Sequence, residues 1–402
     1  MHAIRVRHAY DGESFMAAGA TVLIEGGLII GVESYEFPIP GFCEVTHHEG
    51  TLLPGLIDAH THLVTDSGVS ALGRVAGFSD EEIEQVISTA LHDQLMAGVT
   101  TVRDLGDRRF CVLERRDRQL SAPVIEPQIV ASGPPLTSTN GHCHFLGGEV
   151  SGTEEIIRAV AERAERGADI IKVMASGGVN TPGTDAMLTQ FTADELQLIV
   201  DSAHAAGVPV TAHAHGTPAV EQALSAGVDG IEHCSCVTAR GFGQVSEETL
   251  AALARSRIAV CPTLGLDTHL MKNSPPEVRA MLARIGMTAE EILQVRSDFV
   301  GRLYRSGVRL VSGADSGIGP AKRHGVLPYA VCELVTAGLS VAEALATATS
   351  GAADACGVGA GKGRLAAGCD ADLLVVAGDL ETDVTALHRL RYVLLRGLPV
   401  SI

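Results

Sequence analysis

The sequence predicts a mixed α/β fold: a (β/α)8 TIM barrel with a small composite β-sandwich domain built from both ends of the chain. Three observations carry this expectation. Short apolar runs rich in Val and Ile alternate with longer segments of helical period through the middle of the 402 residues. Eight such strand-then-helix units follow one another, the number that closes a parallel sheet into a barrel. The two ends read differently, as short alternating runs broken by Gly and Asp. Residues 1–55 and 362–402 are each too few to be stable alone. They are expected to pack on one another, which leaves 56–361 for the barrel.

In the N-terminal zone the alternation falls on residues 20–24 and 28–32, and in the C-terminal zone on 371–376 and 392–395. Between them the strand candidates are 55–60, 99–105, 127–131, 169–174, 208–213, 230–233, 258–262 and 308–313. Helical periods intervene, for example over 79–96, 153–166, 193–206 and 246–255. Several helices open on a capping box: Ser79 with Glu82, Thr192 with Glu195, and Ser340 with Glu343. Several stop at a glycine just before the next strand, at Gly98, Gly167, Gly207, Gly227 and Gly307.

Bulk properties narrow the class of function. Apolar residues make up 46% of the chain, enough for a substantial core, and the formal charge is −18. That acidity, with no Lys/Arg-rich stripe, argues against a nucleic-acid partner and leaves a small-molecule substrate as the expectation. No apolar run reaches the roughly 20 residues of a membrane span. The first ten residues lack a signal-peptide pattern, so a cytoplasmic location is expected, with homo-oligomerisation left open. The nine cysteines are odd in number and contain no C-x-x-C, which suits a reducing compartment rather than a disulfide framework. Lys362 in a Gly-Lys-Gly-Arg run lacks the spacing and the Ser/Thr of a phosphate loop and is set aside.

In a barrel the reactive groups sit at the C-terminal strand ends. The first strand ends in Asp58-Ala59-His60-Thr61-His62, the fourth contains Lys172, and the fifth ends in His213-Ala214-His215. The sixth ends in Glu232-His233, and Asp315 follows the eighth. Residues two apart on a strand share a face, so His60 and His62 can chelate one ion while His213 and His233 on neighbouring strands hold another. Taken singly, each has a plain alternative: a lone His-x-His is weak evidence, and an Asp between Ala and Ser is more often a turn former. Lys172 is harder to dismiss, because a lysine inside an Ile/Val/Met run would be buried without a partner. The loop over 138–148 adds His142 and His144 as candidate substrate contacts.

In order and spacing, these residues resemble the ligand set of the amidohydrolase superfamily over essentially the whole chain. The runs Gly141-His142, Ile171 to Gly178, Ala212 to Gly216 and Ile231 to His233 look like its imidazolonepropionase-related branch, which includes Xaa-Pro dipeptidases. The resemblance implies two divalent ions, zinc being the natural choice. His60 and His62 would hold the buried ion, and His213 and His233 the exposed one. A carboxylated Lys172 would bridge both. Asp315 would be ligand and proton carrier for a water activated between the ions. Spacing leaves His213 and His215 both open as the fifth-strand ligand. The resemblance picks His213 and leaves His215 as a substrate-binding group beside His142. The tyrosine that the dipeptidase branch carries beyond strand six is replaced here by Cys234-Ser235-Cys236.

The implied activity is hydrolysis of an amide or peptide-like C–N bond, as in a dipeptide or N-acyl amino acid. A cyclic-amide hydrolase, a deaminase, a lyase or isomerase, and a non-catalytic relative remain as alternatives. The loops after strands four (Asn180 to Gln190, with Asp185) and eight (Ile318 to Leu327, with Arg323 and His324) are expected to set specificity.

Overall fold

The computed structural model describes residues 1–122, 124–273, 286 and 288–402. Parallel strands form two sheets. One runs β1 (Leu56–Thr61), β2 (Val99–Asp104), β3 (Gln128–Ala131), and the other β4 (Ile171–Met174), β5 (Val210–Gly216), β6 (Gly230–Val237), β7 (Ala259–Cys261). Their side chains are buried on both faces almost without exception, as a sheet covered by helices requires. Backbone hydrogen bonds join the sheets: the Asp169 amide donates to Ala131, and Leu136 exchanges bonds with Lys172 and Met174.

The segment 308–313, expected as an eighth strand, makes only the single parallel bridge of Leu310 to Val260. Its backbone groups are shared out instead. Val311 donates to Val260 and Ser312 to Thr347, while Ala59 of β1 donates to Ser312. Gly313 makes this approach feasible, since a Cβ there would lie 2.5 Å from the His60 nitrogen and 2.8 Å from Cys261 Sγ.

The expected capping boxes form at Ser79, Thr192 and Ser340, and a fourth forms at Thr288 with Glu291. The five stop glycines all take left-handed φ, between 72° and 84°.

Strands from the two chain ends share one five-stranded sheet. In it Leu373–Val376 pairs antiparallel with both Thr51–Pro54 and Leu390–Leu395. A second sheet of four strands contains His2–Val6 and Ala20–Glu25. Ile4, Val22, Leu52, Leu373, Val375 and Leu394 form one buried cluster between them. Lys362 is buried at 4% exposure here, with Nζ 2.7 Å from Asp370 and 2.5 Å from Asp372. Lys362→Ala would strand the buried Asp372 carboxylate. It is expected to cost about 3 kcal/mol or more in urea unfolding, and an unchanged midpoint would contradict this role. All nine cysteines are free thiols. Among the described residues no helix is long and apolar enough to cross a membrane.

Candidate active site

The strand ends converge on one cavity of about 240 Å³, lined among others by His60, His62, His142, Lys172, His213, His215, His233 and Asp315. The inward side chains follow from register. Lys172 stands opposite Thr211, Met174 opposite His213, and His213 opposite Glu232. Partners in a parallel pair point to the same face, so Lys172, His213 and Glu232 all face inward. Simple alternation would then turn His233 outward. It does not, because His233 takes φ +68°, a left-handed backbone that redirects the chain after Glu232. Thr263 (+48°), just beyond β7, and Asp315 (+57°), just beyond segment 308–313, also take left-handed φ. Strained backbone gathers at functional sites, where the surrounding packing can hold it.

Among the described residues two donor trios stand out: His60, His62 and Asp315, and His213, His215 and His233. In the first, Asp315 Oδ1 lies 3.4 Å from His60 Nε2 and 3.2 Å from His62 Nε2. Burial pushes the Asp315 carboxyl upward, but His60, His62 and Lys322 outweigh it and leave it well below the usual carboxylate range. In the second, the His215 and His233 rings stack at 4.3 Å while the His213 ring meets each edge-on. His213 Nε2 contacts the Gly177 carbonyl at 3.1 Å, His215 Nδ1 pairs with Ser235 Oγ, and His233 Nδ1 pairs with Thr263 Oγ1. Sequence spacing left His213 and His215 as rivals, and the fold brings both to the same trio. Burial, the largest cause for each, lowers the pKa of His213 and His233 well below 6.5 and brings His60 and His215 to about 4. Neutral imidazoles with one nitrogen engaged keep the other lone pair free for a metal.

Lys172 is 1% exposed, and its Nζ has no hydrogen-bond partner. Burial depresses its pKa, partly offset by Glu232 and Asp315. A buried amine without a partner is costly, and burial favours its neutral form. The residues therefore fit a pair of divalent ions: two sets of imidazole and carboxylate donors, and an orphaned amine that a bridging group would satisfy.

Beneath the histidines lies a network that local sequence patterns do not signal. Glu232, fully buried, accepts from His60 Nδ1 at 2.7 Å, Thr211 Oγ1 at 2.6 Å and Arg103 Nη2 at 3.1 Å. Burial raises its pKa, yet His60, Arg103 and Lys172 pull it further down, so it stays a carboxylate. A third gathering of His60, Glu232 and Cys261 is accounted for by the His60–Glu232 bond, since burial keeps the Cys261 thiol protonated. Asp58, the motif's first residue, accepts from the amides of His60 and Ala314, from Ser316 Oγ and from Gln94. It ties β1 to the turn that carries Asp315.

Of the loop candidates, His142 lines the cavity, its Nδ1 2.7 Å from Thr181 Oγ1 and its ring 4.6 Å from that of His213. His144, the other loop candidate, does not line it. Cys143 takes φ +58° and His144 opens a 3-10 turn, and its Nδ1 faces the Gly141 carbonyl. Asn180, Ala186 and the stretch Ile318 to Lys322 reach the cavity, whereas Asp185, Arg323 and His324 are not part of its lining. His324 Nε2 is bonded to the Thr65 carbonyl.

Comparison with known proteins agrees with this geometry. The amidohydrolase family model matches residues 51–398. An ochratoxinase of Aspergillus niger is 27% identical, over 91% of this chain and 78% of its own length. An imidazolonepropionase of Salinispora arenicola is 24% identical over 68% of this chain and 70% of its own. The crystal structure of a Xaa-Pro dipeptidase with bound methionine superposes with a TM-score of 0.86 at 25% identity, covering 99% of both chains. The chain belongs to the amidohydrolase family and is a hydrolase acting on carbon–nitrogen bonds.

Proposed function

We propose that the protein is a binuclear metal-dependent amidohydrolase that cleaves an amide or peptide-like bond of a small molecule. One observation carries the reading: two donor trios, all but His215 buried, line the same cavity as a lysine whose amine has no partner. His60, His62 and Asp315 would hold one ion and His233 with His213 the other, with His215 beside them and Lys172 bridging as a carbamate. Divalent ions there, zinc by ligand preference, would polarise the scissile carbonyl and acidify water.

The protein's own groups then have defined work. Asp315, ionised at neutral pH, accepts the proton of the attacking water and returns it to the departing nitrogen. Glu232 holds the His60 ring by its Nδ1, fixing the tautomer that leaves Nε2 toward the cavity. His142, kept neutral by burial with a pKa of about 3, presents a polar ring to substrate rather than a second cation. We read the parallel strands, with segment 308–313 as the eighth, as a closed (β/α)8 barrel carrying this site at its mouth. Residues 1–55 and 362–402 would form the accompanying β domain.

Purified, metal-replete protein is expected to carry two divalent ions per chain by mass spectrometry and to release an amine from amide substrates. Fewer than one ion per chain would sink the reading.

A further inference from the structure

The cavity wall pairs an apolar surface with a cation that the chemistry above does not use. Met174, Val179, Val237, Phe242, Leu266 and Ile318 supply the apolar part. Among the described residues, Arg296 and Lys322 bring cationic side chains to the same space. Lys322 is fully engaged, its Nζ donating to the carbonyls of Thr263 (2.8 Å), Ala314 (2.7 Å) and Gly265 (3.4 Å). Arg296, on the helix Ala289–Arg305, is not. Only its Nη2 is used, toward the carbonyls of Pro262 (3.3 Å) and Thr263 (3.0 Å). Among the described residues, Nε and Nη1 have no partner and no carboxylate lies within ion-pair distance of the guanidinium. Burial lowers its pKa, and Glu333 and then Asp315 act against that, while its own charge is felt at His215. A half-buried guanidinium pinned by one nitrogen, its remaining edge unpartnered among the described residues, in a cavity that joins the polar donor trios to an apolar wall, is a preformed fork for a planar anion.

We propose that Arg296 anchors a carboxylate of the substrate, so that the amides cleaved here are N-acyl amino acids or dipeptides lying with their acyl side on the apolar wall. This rests on the hydrolase reading above. Water adds to the acyl carbon, the C–N bond breaks, and the nitrogen leaves, with the proton it receives, as an amino acid still carrying the anchored carboxylate. An uncharged urea or simple amide would leave the guanidinium desolvated and unpaired, which disfavours such substrates.

The test uses the zinc-replete protein with N-acetyl and N-benzoyl derivatives of the protein amino acids, each as the free acid and as the matched primary carboxamide. Thermal midpoints and turnover are both read. At least one free acid is expected to raise the midpoint while its carboxamide does not. In Arg296→Met that shift should vanish with zinc content retained, and kcat/KM for the acid should fall about a hundredfold, chiefly through KM. Arg296→Lys, which keeps the charge without the fork, should fall in between. Acids binding no better than carboxamides, or Arg296→Met binding acids as wild type does, would overturn the proposal. If Arg296→Met fails to fold, the acid-against-carboxamide contrast in the wild type decides alone. Acids that bind through Arg296 but are never hydrolysed would spare the anchor and defeat the hydrolase reading. Equal turnover of acids and carboxamides would do the reverse.

Discussion

Lys172→Ala is expected to strip most of the bound metal and to lower activity on the order of 10³-fold or more, beyond the 10–100-fold typical of losing a residue that merely braces a ligand. The reason is the peculiar position of this amine. It is sealed from solvent and without a partner, yet close enough to Glu232 and Asp315 for their charges to act on it. As a free lysine it would be a liability, and truncation to alanine would then relieve strain and stabilise the fold. As a carbamate it would supply two anionic oxygens to cations on either side. The two cases separate cleanly. Metal content and activity measured with formate, acetate or propionate present should recover in part for Lys172→Ala, since a short acid can occupy the vacated space and present the same pair of oxygens. A variant with full metal and full turnover would end the bridging proposal.

The second large effect is expected at Asp315. Asn is the informative replacement, because this position has φ +57° and Asn tolerates the left-handed region better than most residues. The backbone turn is therefore kept while the charge is removed. With no carboxylate to take and return a proton, kcat should fall by about 10² to 10⁴-fold. The urea midpoint should move far less than for a residue whose removal leaves a buried ion unpaired. Asp315→Ala would confound the two, losing the turn preference along with the proton carrier. An Asn variant that keeps its kcat would remove Asp315 from the chemistry.

Much of this arrangement was legible from residue order, and what was missed has a common cause. Helix starts at Ser79, Thr192 and Ser340 and stops at the five glycines are local events, and local patterns report them faithfully. The convergence of His60, His62, His213, His233 and Asp315 is legible because strand ends of a parallel fold share one rim. The partners beneath them are not. Glu232 meets Arg103 across 129 positions of sequence and His60 across 172, contacts decided by which strands become neighbours. His233 reaches the centre only through its left-handed backbone, which the strand pattern of β6 would deny. His144 shares a loop with His142, and loop composition does not say which of two neighbouring histidines faces the cavity. The segment 308–313 has the composition of a strand, but its hydrogen bonds are claimed by β1, β7 and Thr347 separately.

The Arg103–Glu232–Thr211 network has a consequence for how such a protein acquires new substrates. Every polar atom of that foundation answers to another across the interior, so a change at one position obliges changes at several others. Among the described residues, the rim stretches around Asn180, Phe242 and Ile318 hold no fully buried carboxylate–guanidinium pair of that kind. Divergence toward new chemistry in descendants of this chain should therefore accumulate at the lip of the bowl, while its base is inherited nearly intact.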